Sequence, residues 1–271
     1  LKIVRRYELI LVILSVLILN QGCEELFTGM GPQPDYIEKD PFSPRLNVLG
    51  VLRPDFQNNL PMSFVYLEKS LDILEDTEKR YVTDATVMVY SLDNGSIDDS
   101  LQLVYMEMGS TFDFNAYRNF NLIPVPAHQY RIVCQKEGLP TISDVVQIPD
   151  SVVIVDGSLN LKGEIFSFKI ARDEFAFLYE IILRIDGESE PYQENIRRPN
   201  SGDVYVSIQL KDVPASKEGS LRIYAYDENL AEYKTYNVGI KPNTFRTDYT
   251  TVENGYGCLG ALNFLEKKLQ F

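Results

Sequence analysis

The chain has 271 residues, of which 45% are hydrophobic and 24% charged, the balance of a globular protein able to bury its own core. Its formal net charge of −13 repels phosphate backbones and argues against nucleic acid as a partner and against electrostatic docking on an anionic membrane face. A single histidine, His128, and only three cysteines, Cys23, Cys134 and Cys258, exclude two-histidine metal sites and CxxC chemistry.

In chain order, the first element predicted is a secretory signal over residues 1–22. Lys2, Arg5 and Arg6 form a positive start, and Leu9–Leu19 form a short apolar stretch ended by Asn20 and Gln21. That stretch is about half the roughly 20 residues a spanning helix needs. Small Gly22 precedes Cys23, the order required for cleavage before a cysteine that carries diacylglycerol on its thiol and an acyl chain (palmitate) on its new amino terminus. Several acyl chains anchor stably where one does not. The arrangement resembles a bacterial lipoprotein signal, with Asn20 where leucine is usual and Leu19 one place early. An ordinary secretory signal with an incidental cysteine is the alternative. In the Bacteroidetes-type lipoproteins it resembles, acidic residues after the lipidated cysteine favour export to the outer face of the outer membrane. Glu24 and Glu25 occupy those positions; a solvated tether is the plainer account of them.

Residues 23–44 follow as that tether, with four prolines, two glycines and no hydrophobic period. From there the pattern predicts an all-β protein, two immunoglobulin-like β-sandwich domains over 45–148 and 149–271. The first set of strands is "LNVLGVLR", "SFVYLEK", "ATVMVYSL", "LQLVYME" and "QYRIVCQ", with a hairpin turn at Asp93-Asn94-Gly95 and a long loop over Ser70–Tyr81. In the last of these Tyr130, Ile132 and Cys134 share one face, which places Cys134 in a core. Cys134 and Cys258 read as buried free thiols, with one disulfide between them as the alternative. The second set is "SVVIVD", "EIFSFKIA", "FLYEIILRID", "DVYVSIQLK", "SLRIYAYD" and "EYKTYNVGI", with turns at Asp186-Gly187 and Ser201-Gly202. No long amphipathic helix and no internal repeat is found.

Near the end, Gly255-x-Gly257-x-x-Gly260-Ala261 matches the dinucleotide fingerprint literally. The fingerprint requires a buried strand before it and a ribose-binding acid about 20 residues beyond it; only ten residues follow Ala261. The glycines are read instead as a bulged or tightly packed closing strand. No nucleophile elbow, P-loop or metal-protease motif occurs, so no catalytic residue, metal ligand or bound cofactor is assigned. His128 reads as structural. The pairs Asp98/Asp99, Asp173/Glu174 and Asp227/Glu228 read as solvated turns; Asp93, Asn94, Asp98 and Asp99 could hold calcium by oxygen ligands, a minor alternative without the spacing of an EF-hand loop. In "SLRIYAYDE", Arg222, Tyr224 and Tyr226 share the more polar face. They are the candidate protein interface, with a cross-strand aromatic pair as the structural alternative.

The signal ending "GCEE", the tether leading to "LNVLGVLRPD", then "VTDATVMVY", "YRIVCQKEG" and the glycine-rich "ENGYGCLGA" together resemble the Bacteroidetes lipoproteins filed as domain of unknown function 4249. The resemblance implies a surface lipoprotein of the outer membrane. It also implies a partner β-barrel of the TonB-dependent receptor class, since members are often encoded beside such transporters. It carries over no catalytic residue. The expected function is therefore a non-enzymatic accessory or binding subunit, held to the membrane by lipid. A surface glycan or peptide hydrolase and a structural or adhesive protein are the alternatives. Cys23→Ser is expected to move the protein from the membrane to the soluble fraction on cell fractionation; unchanged membrane attachment would refute lipid anchoring.

Overall fold

The structure is a computed structural model describing residues 43–57, 60–71, 80–93, 95–107, 114–212, 218–236 and 250–271. The expected signal, Cys23, Glu24, Glu25 and nearly all of the tether lie outside these residues. Pro44–Phe271 form one compact unit.

The first sandwich sets β1 (Leu46–Leu52), β4 (Phe64–Lys69) and β7 (Ala116–Arg118) against β6 (Ser96–Met106), β5 (Thr86–Asp93), β8 (Gln129–Gln135) and β9 (Ile142–Gln147). A short hairpin, β2 (Phe56–Gln57) and β3 (Leu60–Pro61), interrupts the first layer. The core between the layers joins Val48, Val65 and Leu67 to Val87, Val89, Ile132 and Cys134. Alternation sets this up: in β8 Tyr130, Ile132 and Cys134 are buried and Gln129 and Gln135 exposed. Each Val, Leu or Ile so buried contributes about 1.5–3 kcal/mol.

The second sandwich sets β10 (Asn160–Lys162), β11 (Ile165–Ile170) and β14 (Val204–Gln209) against β13 (Tyr192–Arg197), β12 (Leu178–Ile185), β15 (Glu218–Tyr226) and β16 (Tyr256–Gln270). Phe168, Ile170, Val206, Ile181, Leu221 and Ile223 fill it. Leaving out the β2–β3 hairpin, both sandwiches follow one plan. Their first, second and fifth strands form one layer, and the fourth, third, sixth and seventh form the other; in the first sandwich β7 also pairs with β6, so its layers are one sheet folded over. The protein is thus all-β, two immunoglobulin-like sandwiches, and a topological repeat exists where the sequence shows none.

One strand joins them. The start of β16 runs parallel to β1, Tyr256–Ala261 opposite Asn47–Leu52, and its remainder runs antiparallel to β15, Leu262–Gln270 opposite Tyr226–Glu218. Fifteen residues at about 3.3 Å each span roughly 50 Å. Leu259 and Ala261 lie in the first core, Leu265 and Leu269 against the second. β16, from the expected 149–271 domain, thus contributes to both cores.

Two expected strands differ. "SVVIVD" contributes only the isolated bridge Ile154–Ile170. "EYKTYNVGI" begins inside a nine-residue helix, α1 (Glu228–Tyr236), with 237–240 outside the described residues. Tyrosine and threonine favour strands on local propensity, but here Asp227 caps a helix whose Leu230, Ala231 and Tyr233 are buried against Cys258 and Leu262 of β16. Packing overrides propensity.

β1 and the start of β16 are buried on both faces, by the first core on one side and by the cluster beneath α1 on the other. That explains their near-continuous apolar runs. Gly257 sits at φ +104°, and a Cβ there would lie 1.9 Å from the Val48 carbonyl oxygen. Gly257→Ala is expected to destabilise the protein by more than about 3 kcal/mol in chemical denaturation. Gly95→Ala, at φ +82° in open space, is expected to cost about 1 kcal/mol. Equal losses would mean that β1 and β16 are not so closely apposed.

Candidate functional site

The glycine motif is architectural. A Cβ at Gly255 would meet Ile142 and the Leu46 carbonyl oxygen, and one at Gly260 would fall 2.8 Å from the Cβ of Leu230 and 2.9 Å from Oδ1 of Asp227. Gly257 admits β1, and Gly260 admits the first turn of α1. From Tyr256 onward the backbone of this run pairs with β1, and the Ala261 carbonyl accepts from the Asp227 N–H, so these groups serve the sheet.

The other marked residues divide. His128 Nε2 lies 2.8 Å from the Ser91 hydroxyl, with its ring edge-on to Tyr130. Serine within reach of imidazole is half of a nucleophilic pair, but the space beside Ser91 is about 20 Å³, walled by Val89, Leu101, Leu122 and Tyr130. His128 is held by Ser91 and Tyr130 just before β8. Asp173 accepts from the backbone N–H groups of Asp150 and Phe175, as a turn residue does. Asp98 and Asp99 are exposed on β6, and Asn94 lies outside the described residues. Among the described residues no three His, Cys, Asp or Glu side chains converge to hold a metal ion. Cys134 and Cys258 are buried free thiols; burial pushes the Cys134 thiol up to about 12 and the Cys258 thiol well above its ordinary value.

The strand face proposed as an interface is only partly open. Arg222 is half-exposed and pairs with Glu266 across the strands at 3.0 Å. Tyr224 is half-buried and stacked on Phe264, ring centroids 5.9 Å apart. Tyr226 is 4% exposed, beneath α1. Alternation along β15 set the face correctly, but α1 covers its end. There Tyr226 and Gln193 donate to the buried carboxylate of Glu180, and Lys234 of α1 reaches it at 3.0 Å. Burial, then the Glu180 charge, raise the Tyr226 phenol well above its usual value. The network clasps the helix to the second sandwich.

On the opposite side of α1 the same helix meets the first sandwich. Asp227, at the end of β15, accepts from the Leu230 N–H through Oδ1 at 2.9 Å and donates its own N–H to the Ala261 carbonyl at 3.0 Å. Asn229 donates to Oδ2 of Asp144 on β9 and to the Leu259 carbonyl, each at 3.0 Å. A cleft of about 280 Å³ opens over this joint, lined by Gln129, Gln147, Phe175, Phe177, Asp227 and Glu228 among others. Its walls come from β8, β9, the turn before β12 and the first turn of α1. Clefts at such boundaries are where ligands and partners are usually received. Asp227 is fully buried, and desolvation, opposed by its hydrogen bonds and aided by Asp144 and Glu228, pushes its carboxyl up to about 8. Desolvation likewise raises Asp144. The adjacent Asp227/Glu228 pair thus splits, one acid buried and one exposed.

No residue spacing in the sequence announces this cleft. The available signal was local: Asp227 followed by Glu228 after a strand is a helix-start pattern.

No protein-family model matches the chain, and no curated protein matches it. Among solved structures the chain is similar to one described as "Cytokine receptor complex - Crystal form 1A", at a TM-score of 0.31 and 10% identity, over 82% of this chain and 95% of that one.

Because folding raises the Asp227 pKa, the native state binds more protons than the unfolded state between the two values. The stabilising contribution of this group is complete below about pH 3.8 and is lost as pH rises through about 8. Asp227→Asn keeps a capping side chain without the titration. Its melting temperature relative to the parent is expected to climb from pH 4 towards pH 8 and then level, by differential scanning calorimetry. A constant difference would show that Asp227 is ionised throughout.

Proposed function

We propose that this protein is a non-enzymatic, lipid-anchored binding subunit on the surface of the outer membrane, an accessory of a TonB-dependent barrel or a related outer-membrane complex. We further propose that it belongs with the lipoproteins of domain of unknown function 4249. The observation that carries the reading is the ordered signal ending in Gly22-Cys23-Glu24-Glu25 ahead of two sandwiches. The sandwich architecture supports it. β16 ties the two sandwiches together and makes a spacer that presents loops and clefts to a neighbour. No helix among the described residues is long and apolar enough to cross a membrane. In this reading the lipid at Cys23 makes the attachment. A hydrolase using two carboxylates needs both to converge on one bond. The acids of the Asp227/Glu228 pair do not converge, since one is buried and the other exposed.

The test is a mild-detergent pull-down of the tagged protein from its native membrane, with partners identified by mass spectrometry. A stoichiometric outer-membrane barrel is the expected result. Recovery of the protein alone, after quantitative extraction, would overturn the accessory role.

A further inference from the structure

We propose that the cleft over the joint receives a basic side chain, Arg or Lys, from a partner polypeptide. The proposal rests on the binding-subunit reading and adds the chemistry of the contact. The ionisable side chains lining the cleft, Glu174, Asp227 and Glu228, are all acids. Gln129, Gln147 and Asn229 add amide groups able to accept from a guanidinium or ammonium. Phe175 is 38% exposed and Val145 41%, two apolar groups at the rim of an otherwise polar hollow. A cation with an aliphatic stem fits this combination. Its stem covers the exposed apolar groups, its head meets carboxylates, and its charge lies over an aromatic ring. The molecule already makes this kind of contact nearby. Arg198 lies 4.5 Å from the centre of the Phe177 ring while donating to the backbone carbonyls of Asp173 and Glu174. Its guanidinium is engaged there.

The buried acids sharpen the argument. Asp227 meets Asp144 from β9, Glu228 from its own helix and the Cys258 thiol from β16, and Asp144 is also influenced by Glu253. Every one of these neighbours is acidic or neutral. A cation entering the cleft would favour ionisation of Asp227, so binding and proton release are linked. The overall charge of −13 points to the same sign of partner.

The test is an NMR titration of the full chain with Ac-Gly-Arg-Gly-NH2, Ac-Gly-Lys-Gly-NH2 and neutral Ac-Gly-Gln-Gly-NH2. The cationic peptides are expected to shift Val145, Phe175 and Asn229 saturably, and the neutral one not. Phe175→Ala and Glu228→Gln are each expected to weaken binding about fivefold, whereas Glu194→Gln, exposed on β13 away from the cleft, leaves it unchanged. Affinity is expected to rise between about pH 6 and 9 in the parent and to vary less in Asp227→Asn. Equal shifts with the neutral peptide, or indifference to the cleft variants, would overturn the proposal. So would binding of spermidine with the capped peptides inert. The titration needs no membrane partner, so its failure and a failed pull-down are separate results.

Discussion

The close approach of β16 to β1 is the constraint on which the rest depends. The Val48 carbonyl occupies the space a side chain at position 257 would need, and φ at that residue is +104°. Only glycine meets both demands without strain. Once the two backbones run side by side, the last strand of the second sandwich becomes an edge of the first. The two cores then sit on one face of a shared strand and α1 on the other.

That arrangement explains why a nine-residue helix is stable here. A helix so short is marginal alone. It is held at one end by the Asp227 cap and the Asn229 contacts to Asp144 and Leu259, and at the other by Lys234 on Glu180. Gly260 lets its first turn lie directly on β16. Of the polar groups that secure the helix, Asp227 and Asn229 also line the cleft. A buried acid such as Asp227 is tolerated because its hydrogen bonds remain satisfied while its charge is suppressed.

Much of the strand content was legible because period-two alternation reports burial directly. Tyr130, Ile132 and Cys134 face a core as their spacing implies, as do Leu221, Ile223 and Ala225 on β15. β9 and β13 escaped notice because they lie at sheet edges and carry polar residues such as Asp144 and Glu194. α1 escaped because its tyrosines and threonine favour strands locally. The repeated strand order was hidden for a different reason: a sandwich specifies which positions are apolar, not which residues fill them, so two halves can share a topology without sharing a sequence.

The sequence by itself determined the all-β class, the burial of Cys134, the architectural role of the terminal glycines and the expectation of a lipid anchor at Cys23. Each follows from residues near one another in the chain, where periodicity, turn chemistry and a short ordered signal act. Only the tertiary structure decided that β16 serves both sandwiches, that Tyr226 lies beneath a helix, and that Asp144, Asp227 and Asn229 meet. Those residues come from separate strands and a helix, and long-range packing alone brings them within hydrogen-bonding distance.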